Sequence, residues 1–533
     1  MNKQQFLQKL ERQLMAQDID RRQFMRGVLS TGIAVGAATM LADRALAATP
    51  KKGGTLRAGL GHGATSDTLD PGLFAAGFMI PVGIAMNGYL TAFDSENNVQ
   101  PGLAESWEAS PDATVWNFKL RQGVEFHNGR SVTAQDVITS INHHRGVDST
   151  SAAAPLVSSI VEMKSDGPDR VVITLGAGNA DFPAALADYH IAIQPEIDGK
   201  MDWPSGIGCG PYSLENLEPG VSAKLLRNKN YWTDAEGHVD EWQLLALLDT
   251  NARMTAALTG DVDVADKIDV KTAGRLAGNP NLNVHSIAGT QHYSFPMLTN
   301  AAPFDDNNVR QALKWGINRE ELVEKILFGY GSIGNDHPIG SGQKYFNTEL
   351  EQKTYDPDKA KFFLKEAGLS SLDVELSASD AAFAGAIDSA LLFQNSMAPA
   401  GINVKVSREP NDGYWSDIWM KKGWVASYWG GRPIEDLMFS LAFKSGVSWN
   451  ESFWSNERFD SLLIEARAEL DENKRREMYW EMQDLVANKG GVAIPMFASY
   501  VFATRPSIGM PDTLGSNLDV DGQSFMQRWW KES

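Results

Sequence analysis

Two periodicities of apolar residues take turns along this chain. Strict alternation over Val115–Leu120 (VWNFKL) predicts a half-buried strand, and Asn128-Gly129 after it is a turn signal. Thr133, with Asp136 three residues on, predicts a capped helix start at Ala134. Val309, Ala312, Leu313 and Ile317 recur at helical spacing. Asp356 caps a further helix, Pro357 takes its first turn, Gly368 ends it, and Ala360, Phe363, Leu364 and Ala367 form its buried stripe. From Phe459 to Ala487 the pattern predicts one or two helices with a break near Asp471, and Gly491–Phe497 then returns as a strand. Strands and helices that alternate in this way predict a mixed α/β fold. These faces place a site and supply no chemistry.

The stretch from Trp424 to Asp436 (WVASYWGGRPIED) breaks the pattern. It reads as a short buried strand that stops at Gly430-Gly431 and then presents Arg432, Glu435 and Asp436. Around it lie Tyr414, Trp415, Trp419, Tyr428, Trp429, Trp449 and Trp454. Such rings combine large rigid contact area with a polar edge, which suits a small-molecule pocket and equally suits a core. Tyr428, Trp429, Gly430, Arg432, Asp436 and Trp415 are the candidate ligand-binding residues. Near the start, Gly59-Leu60-Gly61-His62-Gly63-Ala64 matches a dinucleotide-binding glycine pattern in letters alone. That motif needs a helix directly after it, and Thr65–Pro71 is turn chemistry. The nucleotide reading fails; a loop of close backbone approach remains, and His62 joins the ligand-facing candidates.

Composition narrows the function classes. The 533 residues are 43% hydrophobic and 22% charged, enough for several cored domains. A formal net charge of −19 repels phosphate backbones and excludes nucleic acid as a partner. The single cysteine, Cys209, allows no internal disulfide and reads as a small buried residue. Nine histidines include no ligand-spaced pair, and the adjacent His143 and His144 diverge from a helix, so no metal or cofactor is expected. No Gly-x-Ser-x-Gly, His-Glu-x-x-His or Gly-Lys-Ser/Thr occurs, so no catalytic residue is assigned and an enzyme is a remote alternative. At the N-terminus, Arg21-Arg22-Gln23-Phe24, an apolar run from Gly27 to Ala42 diluted by glycines, and Ala45-Leu46-Ala47 resemble a twin-arginine export signal over 1–47. That predicts a mature protein free in the periplasm.

The succession Pro101-Gly102-Leu103-Ala104-Glu105-Ser106-Trp107, Trp116-Asn117-Phe118-Lys119-Leu120-Arg121, Gly123-Val124-Glu125-Phe126-His127-Asn128-Gly129 and Ala134-Gln135-Asp136-Val137 carries a family resemblance. It is similar to family 5 of the extracytoplasmic solute-binding proteins, the peptide, nickel and opine receptors of ABC importers. Gly208-Cys209-Gly210-Pro211-Tyr212 and Asn228-Lys229-Asn230-Tyr231-Trp232 continue the family's order, with Cys209 in a threonine's place. The resemblance implies a two-lobed periplasmic-binding-protein fold, type II and large cluster C form, with an extra subdomain inserted in lobe I. The expected division is 49–92, 205–295 and 500–533 for lobe I, 93–204 for the inserted subdomain and 296–499 for lobe II. Two strands are expected to cross between the lobes, near Tyr293–Asn300 and Ile494–Thr504. The implied function is capture of a small peptide or peptide-like solute by lobe closure and delivery to permease and ATPase subunits in the inner membrane, by a monomer. An opine, a sugar-containing solute or a nickel complex is the alternative cargo. Peptide-binding relatives carry Trp-x-x-Asp for the ligand's amino terminus; here Trp429-Gly430-Gly431-Arg432 inverts that charge and resembles the glutathione-binding branch more closely. Arg432 is thereby expected to take a carboxylate or, failing that, to pair internally with Glu435 or Asp436.

Overall fold

The computed structural model describes residues 10, 21–31, 50–75 and 77–532. Ala45-Leu46-Ala47 and residues 32–42 of the apolar run lie outside them, and within 1–47 Arg21–Ser30 is a helix. No helix among the described residues is long and apolar enough to cross a membrane.

Three sheets organise the chain. The first has seven strands in the order 212–218, 222–227, 241–246, 55–60, 264–265, 500–504 and 283–287. Thr55–Leu60 pairs in parallel with both of its neighbours, whereas Tyr500–Thr504 is antiparallel to both of its own. The segment after Leu60 turns instead of opening a helix, as the run Thr65–Pro71 predicts. Leu56, Ala58, Trp242, Leu244, Phe502, Phe525 and Trp529 build the core behind this sheet.

The second sheet is antiparallel, in the order 104–109, 115–120, 170–175 and 160–165. The alternation in Val115–Leu120 buries Trp116, Phe118 and Leu120. Helix Ala134–His143 packs its Val137 and Ile141 into the same core. Its capping box forms as the sequence predicts, with Thr133 and Asp136 satisfying each other's backbone donors.

The third sheet runs 331–333, 492–498, 292–296 and 427–429. Val492–Ala498 is buried at every residue because it sits between two strands with both faces covered. A parallel pair, Leu372–Ala378 with Ile402–Arg408, continues this lobe through a bridge from Ser377 to Val425. The helices read from the sequence are present at Pro357–Glu366, Glu457–Ala468 and Glu472–Lys489, the last capped by Asp471. Among the described residues the chain passes between the first and third sheets at 288–291 and at Ser499; the first crossing precedes the expected Tyr293–Asn300, because strand His292–Pro296 already belongs to the third sheet. The two crossings lie side by side, since Ile287 pairs with Tyr500 and His292 with Phe497.

Candidate functional site

The strand Ser427–Trp429 forms the edge of the third sheet, and its alternation sorts the candidate rings onto opposite faces. Tyr428 lies opposite Tyr293 on the neighbouring strand, and Tyr293 stacks on Phe383 at 3.9 Å. Trp415, 40% exposed, stands edge-on to Tyr428 at 5.8 Å. These rings form an aromatic wall on the second lobe. Trp429 points the other way, into the lobe's core beside Ile339, Met438 and Phe497, with Trp449 at 5.7 Å. A period of two puts it on the side of Ser427, away from Tyr428, where it packs and also hydrogen-bonds Glu451.

A buried carboxylate holds this wall from behind. Glu451 accepts from Trp419 Nε1 at 2.8 Å, Ser427 Oγ at 2.8 Å and Ser294 Oγ at 3.0 Å. Burial pushes its carboxyl up, and these donors pull it back.

The two glycines lie against the first lobe. Gly431 N–H donates to Tyr500 Oη at 3.1 Å, and that phenol donates to the Asn517 carbonyl at 3.2 Å. A Cβ on Gly431 would stand 2.2 Å from that carbonyl oxygen, and one on Gly430 would meet Leu518 at 3.7 Å. Gly430-Gly431 is therefore where the lobes touch, and glycine at 431 is a requirement of close approach.

Arg432 follows and is 6% exposed. Its Nη1 donates to the Gly431 carbonyl at 2.9 Å, while Nε has no partner. Neither expected internal partner takes it. Asp436 is bonded to Arg467 Nε at 2.7 Å, and Glu435 accepts the Tyr345 N–H at 2.7 Å. Asp436 thus offers no free charge to the cleft, because the first turn of helix Glu435–Ala442 directs it toward Arg467. Burial pushes the Glu435 carboxyl up to about 7. Among the described residues no carboxylate lies within ion-pair distance of Arg432. Tyr189 hydrogen-bonds the guanidinium, which counters part of the burial that pushes its phenol up to about 12, and the buried Asp188 carboxylate lies within the guanidinium's electrostatic reach. A buried guanidinium with unused donors is suited to a planar anion.

The first lobe answers with His62 and Lys267. His62 Nε2 hydrogen-bonds Lys267 Nζ, and the lysine's charge together with burial holds the imidazole well below its ordinary value, so it is neutral. Lys267 Nζ lies 5.9 Å from the Tyr428 ring centroid, across the interlobe space. Asp519 is buried nearby, its carboxyl pushed up to about 7 by burial and by Asp266. It is carried on a turn in which Val520, Asp521, Gly522 and Gln523 all have positive φ. The glycines around His62 serve the protein's own side chains: a Cβ on Gly61 would stand 3.0 Å from the Arg253 guanidinium, and one on Gly63 would stand 2.6 Å from Ala246.

Lys267 and Asp519 carried no motif in the sequence. The one available signal was a single lysine among Asp261, Asp263, Asp266 and Asp269. Cys209 is buried with its thiol pushed up to about 12, and His143 and His144 bond separately to Asp70 and Ser151. No metal-ligand cluster occurs among the described residues.

Comparison with known proteins places this geometry among relatives. The family model "Bacterial extracellular solute-binding proteins, family 5 Middle" matches residues 98–451. The glutathione-binding protein GsiB of Salmonella typhi is 27% identical over 444 residues, covering 80% of this chain and 85% of the relative. The di/tripeptide-binding protein 2 of Pseudomonas aeruginosa is 26% identical over 465 residues, covering 79% and 85%. Among solved structures, the binding protein AgaA of A. tumefaciens R10 in complex with agropinic acid superposes with a TM-score of 0.80 at 24% identity, covering 90% of this chain and 99% of that one. A dipeptide-binding protein from Pseudoalteromonas sp. SM9913 in complex with Met-Leu gives 0.79 at 20% identity, covering 90% and 100%.

Proposed function

From a chain that belongs to family 5 of the bacterial extracellular solute-binding proteins, we propose a periplasmic receptor that captures a small peptide or peptide-like solute bearing a carboxylate and delivers it to an ABC importer. Export through the twin-arginine signal over 1–47 and action as a monomer belong to the same reading. The ligand sits between the aromatic wall of the second lobe and the His62–Lys267 side of the first. Tyr428, Trp415, Gly430 and Arg432 bind it, and the lobes close about the crossings at 288–291 and Ser499. Closure is driven by a ligand that touches both lobes only in the closed form.

The observation that carries the reading is Arg432: buried, without a carboxylate partner, and placed where the lobes meet. A charge-assisted hydrogen bond to a ligand carboxylate is worth roughly 1.5–3 kcal/mol. Calorimetry on Arg432→Met tests it. Affinity for carboxylate-bearing peptides should fall by about ten- to a hundredfold with the ligand-free melting temperature maintained. Unchanged affinity in a folded variant would remove the assignment. Opines share the carboxylate chemistry and are the second cargo to assay.

A further inference from the structure

Lys267 is built into the cleft wall with more constraint than a surface lysine needs. Its φ of 42° is a left-handed conformation that a residue with a Cβ adopts only when its surroundings impose it. Arg253 imposes it: Nη2 donates to the Lys267 carbonyl at 2.8 Å and Nε to the Asp266 carbonyl at 2.9 Å. The same guanidinium lies 3.2 Å from the Asp266 carboxylate, whose Oδ1 also accepts the Gly61 N–H at 2.7 Å. The turn is clamped to the loop that carries His62. Neutral His62 then takes one of the lysine's three donors on Nε2, which fixes the direction of the amine and leaves two donors for other partners.

None of those donors goes to a carboxylate. Among the described residues no Asp or Glu is within ion-pair distance of Lys267: Asp266 is taken by Arg253, and Asp519 lies farther off. The half-buried amine faces Tyr428 of the opposite lobe. The cleft thus holds two cations whose donors no carboxylate takes directly: Lys267 on one lobe, with Asp266 and Asp519 in electrostatic range, and Arg432 on the other, with Asp188 in range. Cationic donors that face a cleft and are not taken by a carboxylate favour an anionic ligand.

We propose that Lys267, oriented by His62, is a second anion-binding residue, and that the ligand carries two carboxylates, one for each lobe. The inference rests on the reading of Arg432 given above. It makes closure depend on both charges, since the two cations can be satisfied together only by a ligand that spans the cleft. His62 is a positioning residue in this scheme and does not contact the ligand itself.

Protein refolded free of carried ligand provides the test. The probes are aspartyl and glutamyl dipeptides and γ-glutamyl tripeptides, each compared with its two monoamides by calorimetry. Wild-type protein should bind at least one dicarboxylate about ten- to a hundredfold more tightly than either monoamide. Lys267→Met, or Lys267→Gln if the first variant is unstable, should lose discrimination against one monoamide and keep it against the other. Lys267→Arg should restore part of it. Discrimination unchanged in the folded Lys267 variants would overturn the proposal. So would a wild-type protein that binds every dicarboxylate no more tightly than its monoamides. Failure of the Arg432 reading looks different: Arg432→Met would then keep wild-type discrimination against both amides.

Discussion

Gly431→Ala isolates lobe contact from lobe chemistry. The backbone at 431 is not in the left-handed region, so alanine costs nothing conformationally. The added methyl would lie 2.1 Å from Thr290 Oγ1 and 2.2 Å from the Asn517 carbonyl oxygen. The threonine hydroxyl has no hydrogen bond and can rotate away. The carbonyl cannot, because it belongs to the backbone and accepts from Tyr500. Ordinary contact then requires the 517 segment to retreat by about an ångström. Overpacking of this size costs ~1–3 kcal/mol. Asn517 and Gly431 belong to opposite lobes, so the cost falls on the closed arrangement and the open one escapes it. Apparent affinity drops with the closed fraction, by roughly 5- to 150-fold. Calorimetry measures the loss, and small-angle scattering with and without ligand measures closure. The reasoning fails if affinity stays within about twofold of wild type, or if the ligand-free melting temperature falls by as much as binding does.

Three further consequences follow from the buried carboxylates and the thiol. Glu435, raised by burial from 4.5 to about 7, contributes stability that is present below about 4.5 and lost as pH rises through 7. Glu435→Gln keeps an acceptor for the Tyr345 N–H and should flatten that decline, by on the order of 3 kcal/mol between pH 5 and pH 8 in denaturant titrations; an unchanged slope refutes the assignment. Glu451→Gln replaces an acceptor by a donor facing Trp419, Ser427 and Ser294, and should destabilise by ~1–3 kcal/mol with a shift in tryptophan emission. Wild-type melting and emission would show that the carboxylate does not hold the wall. Cys209 should resist thiol reagents in the native protein and react on unfolding; fast native labelling would contradict its burial.

Local signals made the helices legible before the structure. Thr133 with Asp136, Asp356 with Pro357, and Asp471 each satisfy backbone donors within a few residues, so the letters nearby suffice. The strand Ser427–Trp429 and the break at Gly430-Gly431 were readable for the same reason. Which face each ring would take was not. Trp429 and Tyr428 look equivalent in sequence, and only pairing with Tyr293 decides that Tyr428 faces the cleft. Asp436 was ambiguous for a longer-range reason, since its partner Arg467 lies on another helix. Lys267 and Asp519 reach the site from segments 252 residues apart, through a turn clamped by Arg253 and a left-handed turn at 520–523. No periodicity records such meetings; they are consequences of the first sheet's strand order.

The most direct test of the central claim is a thermal-shift comparison on refolded wild-type protein, with free, N-acetylated and C-amidated forms of the same di- and tripeptides. A ligand at a hundred times its dissociation constant stabilises by about 2.7 kcal/mol, which such an assay resolves. Arg432 as the carboxylate anchor predicts that C-amidation abolishes the shift and N-acetylation leaves it. A shift lost on acetylation and kept on amidation would contradict the account and move the anchor from Arg432 to an amine site.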